Sequence, residues 1–192
     1  MAKLYSGNLN LEINFTGFTA GEIDYEISFF WKEKPIVDDS ILKREGSYWA
    51  KRKKGSFLAS ESDHDTLIYI FEKVMTENKS YTWEPSEPDV IIAIYPEKEF
   101  ADLNIFPQNI NIAEFHKQCD SERILEKKEK GDLPDDTFAL IIFVDAYNFK
   151  SSQAYYGSGI SLHMVVNRSD YECFLSTLKE EYASLKKKHG LE

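Results

Sequence analysis

Residues 9–31, LNLEINFTGFTAGEIDYEISFFW, decide the fold class. Leu9, Leu11, Ile13 and Phe15 are apolar at every second position, and Ile23, Tyr25, Ile27 and Phe29 repeat the pattern. Successive side chains of an extended chain point to opposite faces, so each run presents one apolar and one polar side. Two such runs on either side of a turn region at Gly17–Gly21 predict an antiparallel β-hairpin lying on a core.

Two other stretches change the period from two to 3.6. In residues 60–78, SESDHDTLIYIFEKVMTEN, a stripe of Leu67, Ile68, Ile70, Phe71, Val74 and Met75 predicts a helix. Ser62 or Asp63 can cap it, Asp65 suits its positive start, and Asn78 lies near its end. In residues 167–190 the stripe is Tyr171, Phe174, Leu175, Leu178, Tyr182 and Leu185. Ser169 and Glu172 have capping-box spacing, Lys186, Lys187 and Lys188 suit the negative helix end, and Gly190 can stop the helix.

Three further runs read as strands: 89–96 (DVIIAIYP), a continuous apolar run, 138–149 (FALIIFVDAYNF), a buried strand, and 160–166 (ISLHMVV). The first is expected to be covered on both faces. Pro85 and Pro88 fix φ and remove backbone donors just ahead of it, which keeps the preceding loop out of helix and sheet. Residues 34–39 (KPIVDD) read as a turn, and 41–60 as two or three short strands joined at Gly46 and Gly55. Residues 97–137 read as an insertion or loop region whose end, EKKEKGDLPDDT, is dominated by charge. The expected architecture is α+β in a single domain, 1–192. It has a mostly antiparallel sheet of five to seven strands, curling toward a sandwich, with two amphipathic helices packed on it.

Composition bounds the function. The 192 residues are 42% hydrophobic and 14% aromatic, enough for a core, and the net charge is −10. The stretch 43–54 is locally +5, from Lys43, Arg44, Lys51, Arg52, Lys53 and Lys54 against Glu45, so the remainder carries −15. Tyr48, Trp49 and Phe57 interleave with these cations, a pattern seen on nucleic-acid surfaces. The acidic remainder repels phosphate, and pairing with the protein's own acids is the better reading, so no nucleic-acid partner is expected. No segment has the length and apolarity of a membrane span or a signal peptide, so no membrane partner is expected. Cys119 and Cys173 form neither a disulfide framework nor a zinc site, and they fit a reducing, cytoplasmic compartment.

Catalytic templates fail one after another. His64 between Asp63 and Asp65 could be a carboxylate-flanked base, but the same residues make an ordinary acidic helix cap. His116 and Cys119 have i, i+3 ligand spacing without a second ligand pair. His163 should face away from the core if Leu162 and Met164 face it. Cys173 near a helix start could be an activated thiol, though a core thiol is the plainer reading. There is no G-x-S-x-G elbow and no phosphate-binding glycine loop. Asp89 followed by Glu97-Lys98-Glu99 fails the acid-any-Lys spacing of a restriction-type nuclease, and Asp132, Asp135 and Asp136 lack EF-hand spacing. No cofactor and no metal are expected.

The order of elements nevertheless resembles a known family. An aromatic hairpin is followed by a helix patterned FLASESDHDTLIYIF (57–71), then EPSEPDVIIAIYP (84–96), and finally GISLHMVVNRSDYECFLSTLKEEYASL (159–185). This is similar to immunity proteins of bacterial polymorphic-toxin and contact-dependent-inhibition systems, the type that neutralises wall-associated toxins. The resemblance implies a cytoplasmic, non-enzymatic inhibitor that binds one toxin domain tightly. It carries over no site residues. Charge alone nominates the acids expected to be exposed: Asp63 and Asp65 at the helix start, Glu84 and Glu87 among the prolines, and Glu97 and Glu99 beyond the strand. A basic toxin domain is the expected partner. The alternative is an α+β domain with a small-ligand or catalytic site assembled from residues distant in sequence.

Overall fold

The computed structural model describes residues 1–19, 22–36, 54–58, 67–84, 90–100, 137–145 and 159–190. The predicted hairpin is its centre. Strands β2 (Leu9–Thr19) and β3 (Glu22–Trp31) pair antiparallel, with Leu11 opposite Phe29, Ile13 opposite Ile27 and Phe15 opposite Tyr25. All six of these side chains are buried, as the period-two pattern requires. The pairing runs into the expected turn region, as far as Thr19 opposite Glu22. A bulge between Phe15 and Gly17 adds one residue and returns Phe18 to the core side, opposite Ile23.

A strand that the sequence reading missed, β1 (Ala2–Ser6), precedes the hairpin and pairs with β2. Gly7 and Asn8 join the two. Gly7 has φ +58, which suits a two-residue hairpin loop that places glycine first. The turn expected at 34–39 begins earlier. Lys32 and Glu33 both have positive φ, 48° and 66°, and they return the chain as β4 (Lys34–Pro35) along β3. Strand β5 (Lys54–Leu58) pairs further along β3, so this sheet has five strands among the described residues. Gly55 therefore lies inside a strand, opposite Tyr25, instead of joining two.

Helix α1 (Leu67–Glu77) buries Leu67, Ile68, Ile70, Phe71 and Val74. Asn78 ends it in the left-handed region (φ 53), and its N–H donates to the Val74 carbonyl at 3.0 Å. Strands β6 (Tyr81–Trp83), β7 (Val90–Pro96), β8 (Thr137–Asp145) and β9 (Gly159–Asn167) form a second antiparallel sheet, in that order. Its core side carries cross-strand rows such as Ile94, Leu140 and Met164, and Pro96, Phe138 and Val166. Coverage of β7 on both faces is only partial, because Val90, Ile92 and Ile94 are buried while Ile91, Ala93 and Tyr95 are half-buried. A single helical turn, α2 (Glu97–Phe100), follows it.

Helix α3 (Arg168–His189) buries the whole predicted stripe from Tyr171 to Leu185. Its cap differs from the expected one. Asn167 is the N-cap; its Oδ1 accepts the Asp170 N–H at 2.8 Å, and its Nδ2 donates to the Asp170 carboxylate at 2.7 Å. Ser169 serves that cap by donating its hydroxyl to Asn167 Oδ1. Gly190 closes the other end at φ +65.

The fold is thus α+β and antiparallel, with the strands of the described residues divided between two sheets of five and four instead of one sheet of five to seven. Contacts among the described residues join the sheets directly. The Ser6 hydroxyl on β1 meets the Val165 backbone on β9, and on the core side Tyr25 of β3 meets Trp83 of β6 edge to face at 5.4 Å. α3 packs against β1 and β2 of one sheet and β8 and β9 of the other, and it also touches α1. No described helix is long and apolar enough to cross a membrane.

Candidate binding surface

The six nominated acids fall into three groups. Asp63, Asp65 and Glu87 lie outside the described residues. Glu84 is exposed directly after β6, and Glu99 is half-buried on α2, with Oε2 accepting the Ser80 N–H at 2.8 Å. Glu97 is not a surface acid: it is 1% exposed. Pro96 ends a core strand and the chain turns at once into α2, which carries Glu97 inward with it.

What the structure gathers around β6 is a network that charge counting did not find. Lys73 pairs with Glu77 one turn later on α1, and the Tyr81 hydroxyl donates to the same Glu77 carboxylate. Lys73 also lies 5.3 Å from the centre of the Tyr69 ring. The Lys73 hydrogen bond, helped by that from Tyr81, holds the Glu77 carboxyl below its usual pKa. The same bond, with one to Tyr69, lifts Lys73 to about 12. Tyr81 is raised because its proton is held by Glu77. Period 3.6 places residues 69, 73 and 77 on one helix face, so the i, i+4 spacing was the available signal. Lys179 on α3 adds an ion pair to Glu72 at 2.6 Å, tying the helices at their exposed sides.

The histidine and thiol readings divide. His163 is exposed on the side of β9 opposite buried Met164, as the alternation requires. Cys173 is a free thiol at the surface, not in the core. At about 100° per residue it lies about 200° around the helix from Tyr171, on the side away from the stripe. His64, His116 and Cys119 lie outside the described residues, as do Asp89, the 43–53 part of the basic stretch and the acids at 132–136. Among the described residues no group of three or more His, Cys, Asp or Glu is placed to hold a metal ion.

An open groove of about 480 Å³ lies between α3 and the first sheet, lined among others by Asn14, Phe15, Thr177, Glu181 and Lys188. Glu181 receives the Met1 amine there. Comparison with protein-family models, with curated proteins and with solved structures returns no match.

Proposed function

We propose that this chain is a cytoplasmic, non-enzymatic binding protein of toxin-immunity type, which neutralises a basic toxin domain by tight association. One observation carries the reading. A chain of net charge −10 sets Glu77, Glu84 and Glu99 around β6, a short strand anchored by buried Trp83. Carboxylates held on a packed frame offer lysine and arginine side chains acceptors whose ordering cost is already met. Glu77 stays ionised to lower pH than an ordinary glutamate because Lys73 and Tyr81 bind it. Long-range attraction from the remaining acids raises the encounter rate, and the local pattern adds specificity.

The test is association with the toxin-like domain encoded beside this chain in its genome, measured kinetically at several salt concentrations. Expected are tight binding, an association rate that falls steeply with salt, and rescue of growth when chain and toxin are co-expressed. Absence of binding at micromolar concentration together with absence of rescue rejects the proposal.

The groove beside α3 supports a second reading, an α+β domain that takes a small ligand. A thermal-shift screen of metabolite classes, with Asn14→Leu as the control that closes the groove, separates the two.

A further inference from the structure

We propose that the outer face of the second sheet is a docking face, and that its occupant is residues 101–136 of this same chain. The two sheets differ on the side away from the core. On the first sheet that side is polar: Lys3, Glu12 and Ser28 form one row, and Asn14 faces Glu26 in the next. An antiparallel sheet with one solvated side has this pattern. On the second sheet the corresponding rows are Ile91–Phe143–Ser161, Ala93–Ile141–His163 and Tyr95–Ala139–Val165. Apart from Ser161, His163 and the Tyr95 hydroxyl these side chains are apolar, which is the composition of a covered face.

Exposure across this face follows the strands. Ile91, Ala93, Tyr95, Ile141 and Phe143 on the middle strands are half-buried and Ala139 is 3% exposed, whereas Thr82 on β6 and Ser161, His163 and Val165 on β9 are exposed. The sheltered strip is therefore two strands wide, about 10 Å, the width of one helix or one pair of strands. Helix α2 packs on β7 and β8, but it is a single turn about 6 Å long beside about 23 Å of β7. Pro96 pairs with Phe138, so the chain leaves β7 and returns to β8 at one end of the strip. Antiparallel neighbours can be joined by two residues, yet this chain places residues 101–136 after α2. They include Ile105, Phe106, Ile110, Ile112, Phe115 and Ile124. Laid on the strip, these side chains and the sheet take apolar surface out of water together. A segment tethered at both ends does so without the association cost that a separate partner meets. The region between β7 and β8 is then a further layer of the fold and not a decoration of it.

Methyl NMR of the full chain with labelled isoleucine tests this. Expected are nuclear Overhauser cross-peaks from Ile91 or Ile141 to at least one of Ile105, Ile110, Ile112 and Ile124. Their absence overturns the proposal. In a mixture of differently labelled copies, cross-peaks confined to pairs from different copies assign the face to a second copy and overturn it as well. Limited proteolysis gives a second readout. Ile141→Asp puts a charge into the sheltered strip and should speed cleavage within 101–136 about tenfold or more, because a buried, unpaired charge drives local opening. His163→Asp, on the same face but exposed, should leave the rate unchanged. Equal cleavage rates for both variants and the unmodified chain overturn the proposal. Should Ile141→Asp fail to fold, Ile141→Ser takes its place, and the cross-peaks of the unmodified chain still decide.

Discussion

Tyr171, in the first turn of α3, donates its hydroxyl to the Phe71 carbonyl of α1 at 2.9 Å, across 100 residues of sequence. The ring is fully buried among Phe71, Phe138 and Phe174, so this bond satisfies a polar atom that has no access to water. Tyr171→Phe should cost about 1 kcal/mol, the net value of one hydrogen bond, whereas Tyr171→Ala should cost about 3–5 kcal/mol through the cavity it leaves. Urea unfolding of the two variants measures both.

The same burial pushes the Tyr171 phenol well above its ordinary pKa of 10.0. A group whose pKa is higher folded than unfolded gives stability that is complete below the unfolded value and is lost as pH rises beyond it. The melting temperature should therefore fall above pH about 10. The fall should be shallower in Tyr171→Phe, which has no proton to lose there. Equal slopes for the two proteins would show that this tyrosine does not drive the alkaline transition.

At the start of α3 Asn167 is the cap and Ser169 supports it. Because Asn167 accepts the Asp170 N–H, Asn167→Ala should destabilise by about 1 kcal/mol. Ser169→Ala removes only a hydrogen bond to the cap and should cost a few tenths of that. The reverse order in chemical denaturation would assign the cap to Ser169.

Lys32 and Glu33 both sit at positive φ in the two-residue loop between β3 and β4. Such loops favour Asn-Gly, and a side chain beyond Cβ held there costs on the order of 1 kcal/mol or more. Replacing the pair by Asn-Gly should raise stability by about 1 kcal/mol, read as a higher denaturation midpoint at unchanged slope.

Glu77 should titrate below an ordinary glutamate when its carboxyl is followed by NMR. Lys73→Met should move that titration up more than Tyr81→Phe, because Lys73 is the larger cause. With its folded pKa depressed, the group stabilises above the unfolded value and loses that contribution as pH falls through the folded one. An unchanged Glu77 titration in Lys73→Met would remove Lys73 from the network.

The parts of the fold that the sequence announced are those whose burial follows a local period. The β2–β3 hairpin and the α3 stripe were legible because eight alternating and six helically spaced residues repeat one instruction. β1 was not, because only Ala2 and Leu4 carry its alternation. The division into two sheets left no local signal at all. A contact that joins them, Ser6 with Val165, is between residues 159 positions apart. The NRSD stretch holds several cap-forming side chains, and hydrogen-bond geometry, not composition, chooses Asn167. Charge could nominate Glu84 as exposed, but it could not show that Glu97 follows a core proline into the interior.

Helix α3 also sets an order of events during synthesis. The ribosome delivers β1, β2 and β3 first and α3 last. Until Arg168 and the residues after it emerge, the apolar face of Ala2, Leu4, Leu11, Ile13 and Phe15 lacks the helix that covers it. A nascent chain stalled before that helix consequently leaves this face open to water and to other chains.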